Sequence, residues 1–427
     1  MPAFQLGRWD GRTRFYDKNG KTFNALLNEI VPFLIGWGYV PDLTDHRKPH
    51  QRPDFAPDGL ELVQGKPLRP YQLDCVNAMI EAGQGFIIAG TGAGKTQICA
   101  ATCHQFNKMG YQSVVIVPSS DLVDQTANTF VAAGLDTGTY SGSSKDLNHA
   151  SVVATWQSLQ NYPDAMSKFG MFIIDESHGV KGEVIRKLIN DYGNHIPWRF
   201  GVTGTFPKPP ADQLLLKTSI GQILREYPAK WLIANGYLAK IEIELVQTQD
   251  KEGKGMEDFP DYSSEKAFIS RSEDRMEVIC DLIERKRREY GNTLVLVNSV
   301  QLGKRLVKLF DNASFMSGET EKDVRKTNYE SFECTNDALV FASFGIASTG
   351  IDISRVFCLV MIDGGKSFTK SIQAVGRGLR KAHDKNEVHV VDISSNLKYS
   401  KKHLGERKSY YKEAGYPYND KPVKLKY

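Results

Sequence analysis

Short, continuous apolar runs alternate along this chain with longer segments in which apolar residues recur every three or four positions. The runs predict buried strands of a parallel sheet, and the recurrence predicts the helices that cross over between them. Strands are predicted at Phe86–Ala89, Ser113–Val117, Val152–Thr155, Phe172–Asp175 and Arg199–Val202, with a helix running from Leu122. A second series follows: helix Glu277–Tyr290, strand Thr293–Val297, helix Gln301–Phe310, then strands Ala338–Ala342 and Val356–Ile362. An α/β fold of two tandem doubly wound domains accounts for both series. Ahead of them stands a small α+β accessory module. In it Arg14–Phe23 predicts two short strands about an Asn19-Gly20 turn. Asn24–Gly36 predicts a helix with Leu26, Leu27, Ile30, Phe33 and Leu34 on one face. Pro41–Pro57, rich in Pro, Asp and His, reads as a linker, and Tyr227 to about Tyr237 as the passage between the large domains. The expected boundaries are an accessory module over 1–60, a first domain over 61–228, a second over 229–400 and a basic tail over 401–427.

Length and composition narrow the class. At 427 residues the chain exceeds what one core supports, so two or three domains are expected. Hydrophobic residues at 41% and charged residues at 24% fit a soluble globular protein. No stretch is long and apolar enough for a membrane span, and Met1–Arg14 lacks the apolar centre of a signal peptide, so a cytoplasmic protein with no membrane partner is expected. The six cysteines are scattered without zinc spacing; Cys99 and Cys103 read as small core residues, and all six as reduced. Net charge is only +4, yet Lys398, Lys401, Lys402, Arg407, Lys408, Lys412, Lys421, Lys424 and Lys426 crowd the C terminus. That crowding points to a polyanion partner or to a solvated end.

The chemistry concentrates where the first predicted strand ends. Phe86–Ala89 runs into Gly90, Thr91, Gly92, Ala93, Gly94, Lys95 and Thr96, and a helix pattern begins after Thr96. Glycines let backbone N–H groups converge on phosphate oxygens, and a helix N terminus adds partial positive charge. Lys95 is placed to reach β/γ-phosphates and Thr96 to ligate Mg²⁺, although Ala89 stands where the usual pattern asks for Gly. Met171–Ile174 ends in Asp175, Glu176, Ser177 and His178, at the carboxyl edge where ligands bind in such sheets. Asp175 can hold Mg²⁺ through water, and Glu176 can orient or deprotonate the attacking water. Two acids after a strand can also be a solvated turn, a reading the glycine loop upstream disfavours. The Gln72 amide suits an adenine edge. The hydroxyls of Thr203 and Thr205 can link a nucleotide site to whatever the protein moves along. The second series has no further glycine loop but carries Ser348–Asp352 and Gln373–Arg380. Arg377 and Arg380, three apart on one predicted helix face, are either solvated or arginine fingers for a γ-phosphoryl group in an interlobe cleft.

Taken in order, these motifs resemble those of the superfamily 2 helicases and translocases. Arg69–Gln72 is similar to the Q motif, Ala89–Thr96 to motif I, Pro118–Gln125 to motif Ia and Asp175–His178 to a DESH form of motif II. Thr203–Thr205 matches motif III, Ser348–Asp352 motif V, and Gln373–Arg380 the QxxGRxxR of motif VI. The resemblance covers roughly residues 65–400. The DESH box, the segment Thr155–Leu159 and the small N-terminal module are most similar to the UvsW-type branch-migration helicases of tailed phages, relatives of XPB- and RecG-like DNA motors. The resemblance implies two RecA-like P-loop NTPase domains, an accessory module that binds DNA, and ATP with Mg²⁺ at the site. It implies catalytic roles for Lys95, Asp175, Glu176, Gln373, Arg377 and Arg380. Nucleotide contacts would come from Arg69, Gln72, Gly90–Thr96, Gly350 and Asp352, and metal contacts from Thr96 and Asp175. The activity implied is that of an ATP-dependent DNA helicase acting on forks, Holliday junctions and R-loops in recombination, repair and replication restart. Branched, duplex or single-stranded DNA would be its partner, with an RNA–DNA hybrid as a further candidate, a monomeric motor as the form, and a single-strand-binding protein as an associate. An RNA helicase and an ATP-gated DNA clamp are the alternatives. Thr-Gly-Thr departs from the commoner Ser-Ala-Thr of motif III, DESH argues against a dedicated RNA helicase, and no convincing nuclease signature supports a restriction motor.

Overall fold

Valine, isoleucine and phenylalanine fill the apolar runs, and such residues fit a pleated surface buried on both faces. The computed structural model describes residues 14–46, 49–177, 182–204, 206–207, 209–250, 259–345, 355–365 and 384–426. They form two compact units, Met1–Ala89 with Gly94–Glu226, and Gly90–Ala93 with Tyr227–Tyr427.

Ahead of its main sheet the first unit carries a two-stranded ribbon, β1 (Glu61–Val63) and β2 (Lys66–Pro67), that the sequence pattern had not suggested. Its main sheet comprises β3 (Gln84–Ala89), β4 (Ser113–Val117), β5 (Thr137–Tyr140), β6 (Ser151–Thr155), β7 (Met171–Asp175), β8 (Trp198–Thr203) and β9 (Ile223–Tyr227), in the order β5-β6-β4-β7-β8-β3-β9. The pairings from β5 across to β3 are parallel. Phe86, Ile116, Phe172 and Ile174 anchor its core. Parallel pairing sends the carboxyl ends of these strands to one edge. Asp175 is there in register with Val202, and Ile88 with Thr203.

The N-terminal stretch departs from expectation. The predicted hairpin is reduced to one antiparallel bridge, Tyr16 to Thr22. The Asp17 carboxylate takes the turn amides instead, accepting from Asn19 N–H at 2.9 Å and Lys21 N–H at 2.7 Å. Such a side chain competes with ladder bonds. The helix is present as a 3₁₀ turn, Asn24–Leu26, continuing into α1 (Leu27–Gly36). Leu26 is buried, but no residue of α1 is. Glu29 pairs with Lys217 at 2.6 Å and Gln222 Nε2 donates to Ala25 O at 3.2 Å, so the stretch belongs to the first unit. The linker over Pro41–Pro57 is likewise tied down. Asn77 exchanges hydrogen bonds with the Ala56 backbone, Gln105 Nε2 donates to Asp54 O, and Tyr111 OH to Gln51 O.

The second unit holds β10 (Lys240–Thr248), β11 (Thr293–Val297), β12 (Ala313–Met316), β13 (Leu339–Ser343), β14 (Cys358–Ile362), β15 (Glu387–Ser395) and β16 (Val423–Leu425). Their order is β12-β13-β11-β14-β15-β10-β16, parallel at every pairing. Helix Glu273–Tyr290 covers a core that includes Ile279, Ile283, Val295, Phe341 and Val360. The segment expected as a basic tail from 401 is structured. A helix spans Lys398–Ala414 and buries Leu404, Arg407 and Tyr411, and β16 then extends the sheet. Glu265 fixes the helix start by accepting the amides of Tyr399 and Ser400 at 2.7 Å each. An anion at that end also suits the helix dipole.

Candidate nucleotide site

Between β3 and the helix Lys95–Lys108 the chain turns through Gly90–Gly94. Gly92 and Gly94 have φ of 84° and 77°, a region closed to most side chains. Gly94 is the helix N-cap, so the helix begins at Lys95, two residues before the sequence pattern suggested. Its N terminus leaves amides without intrahelical partners, which is the setting in which anions bind. Gly90 N–H donates to Tyr227 O at 3.0 Å, and a Cβ on Gly90 would lie 2.9 Å from Ala229 N.

The acids follow from β7. Asp175 ends the strand, and Glu176 turns away in left-handed backbone at φ 51°. Asp175 Oδ1 accepts the Glu176 amide at 2.9 Å. Lys95 Nζ lies 3.8 Å from Glu176 Oε1, with both side chains largely shielded. A lysine charge beside the Glu176 carboxylate, next to Asp175 at the mouth of a glycine turn, suits an anionic ligand accompanied by a hard cation. The oxygens of Thr96 and Asp175 are the donor type magnesium takes. No group of three metal-ligating side chains occurs among the described residues, and magnesium bound with nucleotide needs none, since phosphates and waters complete its shell.

Gln72, at the start of helix Pro70–Ala82, accepts the Arg69 amide through Oε1 at 3.0 Å. Its Nε2 occupies the space a Cβ on Gly94 would need. The structure thus brings Gln72, Gly94, Lys95, Asp175 and Glu176 into one neighbourhood of the first unit. Thr203, buried at the end of β8, lies on the same sheet edge, and Ser177 Oγ donates to Val202 O at 3.3 Å. Burial, then the Asp175 charge, pushes the Cys99 thiol well above its ordinary range. All six cysteines are unbridged. His178, Thr205, Ser348, Thr349, Gly350, Asp352, Gln373, Arg377 and Arg380 lie outside the described residues.

One feature was not anticipated. A cavity of about 370 Å³ beside the acids is lined by Val117, Pro118, Trp156, Ile174 and Val184. The Thr155–Leu159 segment contains its aromatic wall, but only the fold puts that wall next to Asp175 and Glu176.

Two family descriptions match the chain. Residues 65–208 match the res subunit of type III restriction enzymes, and residues 274–382 match the helicase conserved C-terminal domain. Among relatives, the ATP-dependent DNA helicase UvsW of enterobacteria phage T4 is 27% identical, over 96% of this chain and 86% of its own length. The putative DNA 3'-5' helicase Rad25 of Halobacterium salinarum is 26% identical, over 76% of this chain and 55% of its own. A fragment of a putative HsdR subunit of a type I restriction enzyme from Vibrio vulnificus shares the fold at TM-score 0.61 and 16% identity, covering 84% of this chain and 68% of that one.

Proposed function

We propose that this chain, with its two RecA-like domains, is a superfamily 2 helicase, an ATP-driven DNA motor that unwinds or remodels branched DNA. The observation that carries the nucleotide half of the reading is the approach of Lys95 to Glu176 at the end of β7. Lys95 and the turn Gly90–Thr96 bind the β/γ-phosphates, through amides other than that of Gly90, which donates to Tyr227 O. Thr96 and Asp175 would hold Mg²⁺, which would supply neutralisation of phosphate charge. Glu176 orients the attacking water, and Arg69 and Gln72 meet the base. Arg377 and Arg380 supply positive charge, and Gln373 an amide hydrogen bond, to the transferring γ-phosphoryl, while Gly350 and Asp352 serve the ribose.

The DNA half is supported by the phage relative, which is named a DNA helicase and is matched over 96% of this chain; the branched substrate comes from the motif resemblance alone. The motor grips the phosphate backbone without reading sequence, so its action follows DNA shape. The same reading makes it a monomeric motor of the cytoplasm, that of the host cell if the chain is phage-encoded, alongside a single-strand-binding protein in recombination and repair.

The test is steady-state ATPase at one salt concentration with no nucleic acid, single-stranded DNA, linear duplex, a four-way junction and RNA, followed by strand separation on the junction. Greatest stimulation by the junction, abolished by Lys95→Ala with DNA binding largely retained, is the expected result. Preferential stimulation by RNA would replace the reading with an RNA helicase. Tight DNA binding without stimulation would replace it with an ATP-gated clamp.

A further inference from the structure

The glycines of the phosphate turn do not all serve the same purpose. Gly92 and Gly94 stand at φ of 84° and 77°, where glycine is needed for its backbone. Gly90 is not among the glycines of positive φ, so an alanine could adopt its conformation. What bars a side chain there is space. A Cβ on Gly90 would lie 2.9 Å from Ala229 N, 3.2 Å from its Cα and 3.3 Å from its Cβ. Backbone atoms cannot swing aside as the end of a long side chain can, so the two residues fit only because both are small.

The contact is held from both directions. Gly90 N–H donates to Tyr227 O at 3.0 Å, carrying the pairing of β3 with β9 one residue beyond the end of β3. Ala93 N–H closes the turn on Gly90 O at 3.0 Å, and Ala93 is fully buried. Opposite them, Pro228, at φ −67° and ψ 157°, is the N-cap of helix Ala229–Ala234. Leu232 of that helix is buried and donates its amide to Pro228 O at 3.1 Å, and the Tyr227 and Trp231 rings meet at 4.8 Å. A proline has little freedom in φ, and Leu232 cannot leave its seat without exposing apolar surface. Ala229 therefore has nowhere to retreat. Gly90–Ala93 and the chain from Tyr227 onward belong to one compact unit, and Ala229 lies outside both family matches, 65–208 and 274–382.

We propose that Ala229 is a positioning residue for nucleotide binding: seated on Gly90, its small side chain fixes where the phosphate turn stands. A larger side chain at 229 pushes the turn, and the amides it presents, away from the phosphates. The inference rests on the reading that the turn Gly90–Thr96 binds the β/γ-phosphates.

The measurement is the Kd of the full chain for a fluorescent N-methylanthraniloyl ADP with Mg²⁺, without nucleic acid, alongside DNA-stimulated ATP KM and kcat and urea unfolding. Ala229→Val adds two methyl groups at the crowded Cβ. Ala234→Val makes the same change at the exposed end of the same helix, so it carries the helix cost of β-branching without the contact. In Ala229→Val, Kd and KM are expected to rise about tenfold or more with kcat and the urea midpoint near wild type, because overpacking the turn costs binding and leaves the catalytic groups in place. Ala234→Val should leave Kd unchanged. A wild-type Kd in folded Ala229→Val, or an equal rise in Ala234→Val, overturns the proposal. Lys95→Ala separates it from the reading beneath it. Nucleotide binding lost in Lys95→Ala upholds the phosphate turn whatever residue 229 does, whereas a wild-type Kd there overturns the role of the turn and the proposal with it. If Ala229→Val does not fold, Gly90→Ala presses on the same contact from the other side, in a backbone alanine can adopt, and should raise Kd alike; a wild-type Kd in that variant is equally decisive against the proposal.

Discussion

At Gly94 two independent constraints meet: a φ of 77° and the Gln72 amide where a Cβ would stand. Gly94→Ala must therefore strain the backbone and push Gln72 aside. We expect ATP KM to rise about tenfold or more, a 1.4 kcal/mol loss of binding by the usual conversion, with the fold retained. Near-normal KM and kcat would mean the loop adapts and that Gln72 has no part in the site. The sequence was explicit about Lys95, Asp175 and Glu176, because a glycine loop and paired acids after an apolar strand are local patterns. It offered Gln72 as a base reader on its amide and the Q-like motif, but its approach to Gly94 is made by tertiary packing, which no local pattern announces. The same holds for His149, which bonds Asp136 at 2.5 Å and Asp146 at 3.0 Å across a separation of thirteen residues in the first case. The Asp136 bond first, then that of Asp146, raises the His149 pKa, and the His149 bond lowers that of Asp136. The raised histidine holds its bonds below the ordinary imidazole range and loses them as pH climbs through its folded value. The lowered aspartate loses its share only in acid. A proton-resolved titration of His149 should have its midpoint above the ordinary value of about 6.5 and return towards it in Asp136→Asn. An unmoved midpoint would remove the clasp.

Elements were legible in proportion to how local their signal is. The strands read from apolar runs between Ser113 and Val202 and between Thr293 and Ile362 stand within a residue or two of where those runs placed them, whereas β5 and β12, with weaker runs, were not anticipated. The first hairpin was over-read, because an Asn-Gly turn does not make a ladder when Asp17 captures the amides. The C-terminal helix was under-read: its lysines mask a buried stripe at Ser400, His403, Leu404, Arg407 and Tyr411, a spacing of three and four on which one position is an arginine. Binary patterning treats an arginine as solvent-facing, and here Asp392 on the preceding strand, β15, makes it internal. From that arrangement, Arg407→Ala alone leaves a carboxylate buried without its partner. Urea unfolding should show a loss of about 3–5 kcal/mol. A loss under about 1 kcal/mol, the range of an exposed pair, would mean the helix is not seated as described.

Across the molecule, the basic C-terminal residues keep the polyanion reading in a more definite form. Lys401, Lys402 and Lys412 are exposed on a helix whose opposite stripe is buried, so they form a fixed array rather than a loose end. A fixed cation releases condensed counterions when it neutralises a DNA phosphate, and each such contact steepens the fall of affinity with salt. If this face meets the DNA backbone, replacing the three lysines with glutamine should weaken duplex binding about equally for unrelated sequences. It should also make the plot of log affinity against log salt shallower by up to roughly 2.7, at about 0.9 per lost contact. Sequence-dependent losses would point to base readout instead. An unchanged slope would assign the array to solvation and leave the grip on DNA to the sheet edges, where hydroxyls and backbone amides hold phosphates with little release of counterions. Either outcome states how much of the motor's hold on DNA is charge, which net charge could not, because a total of +4 hides where the cations are collected.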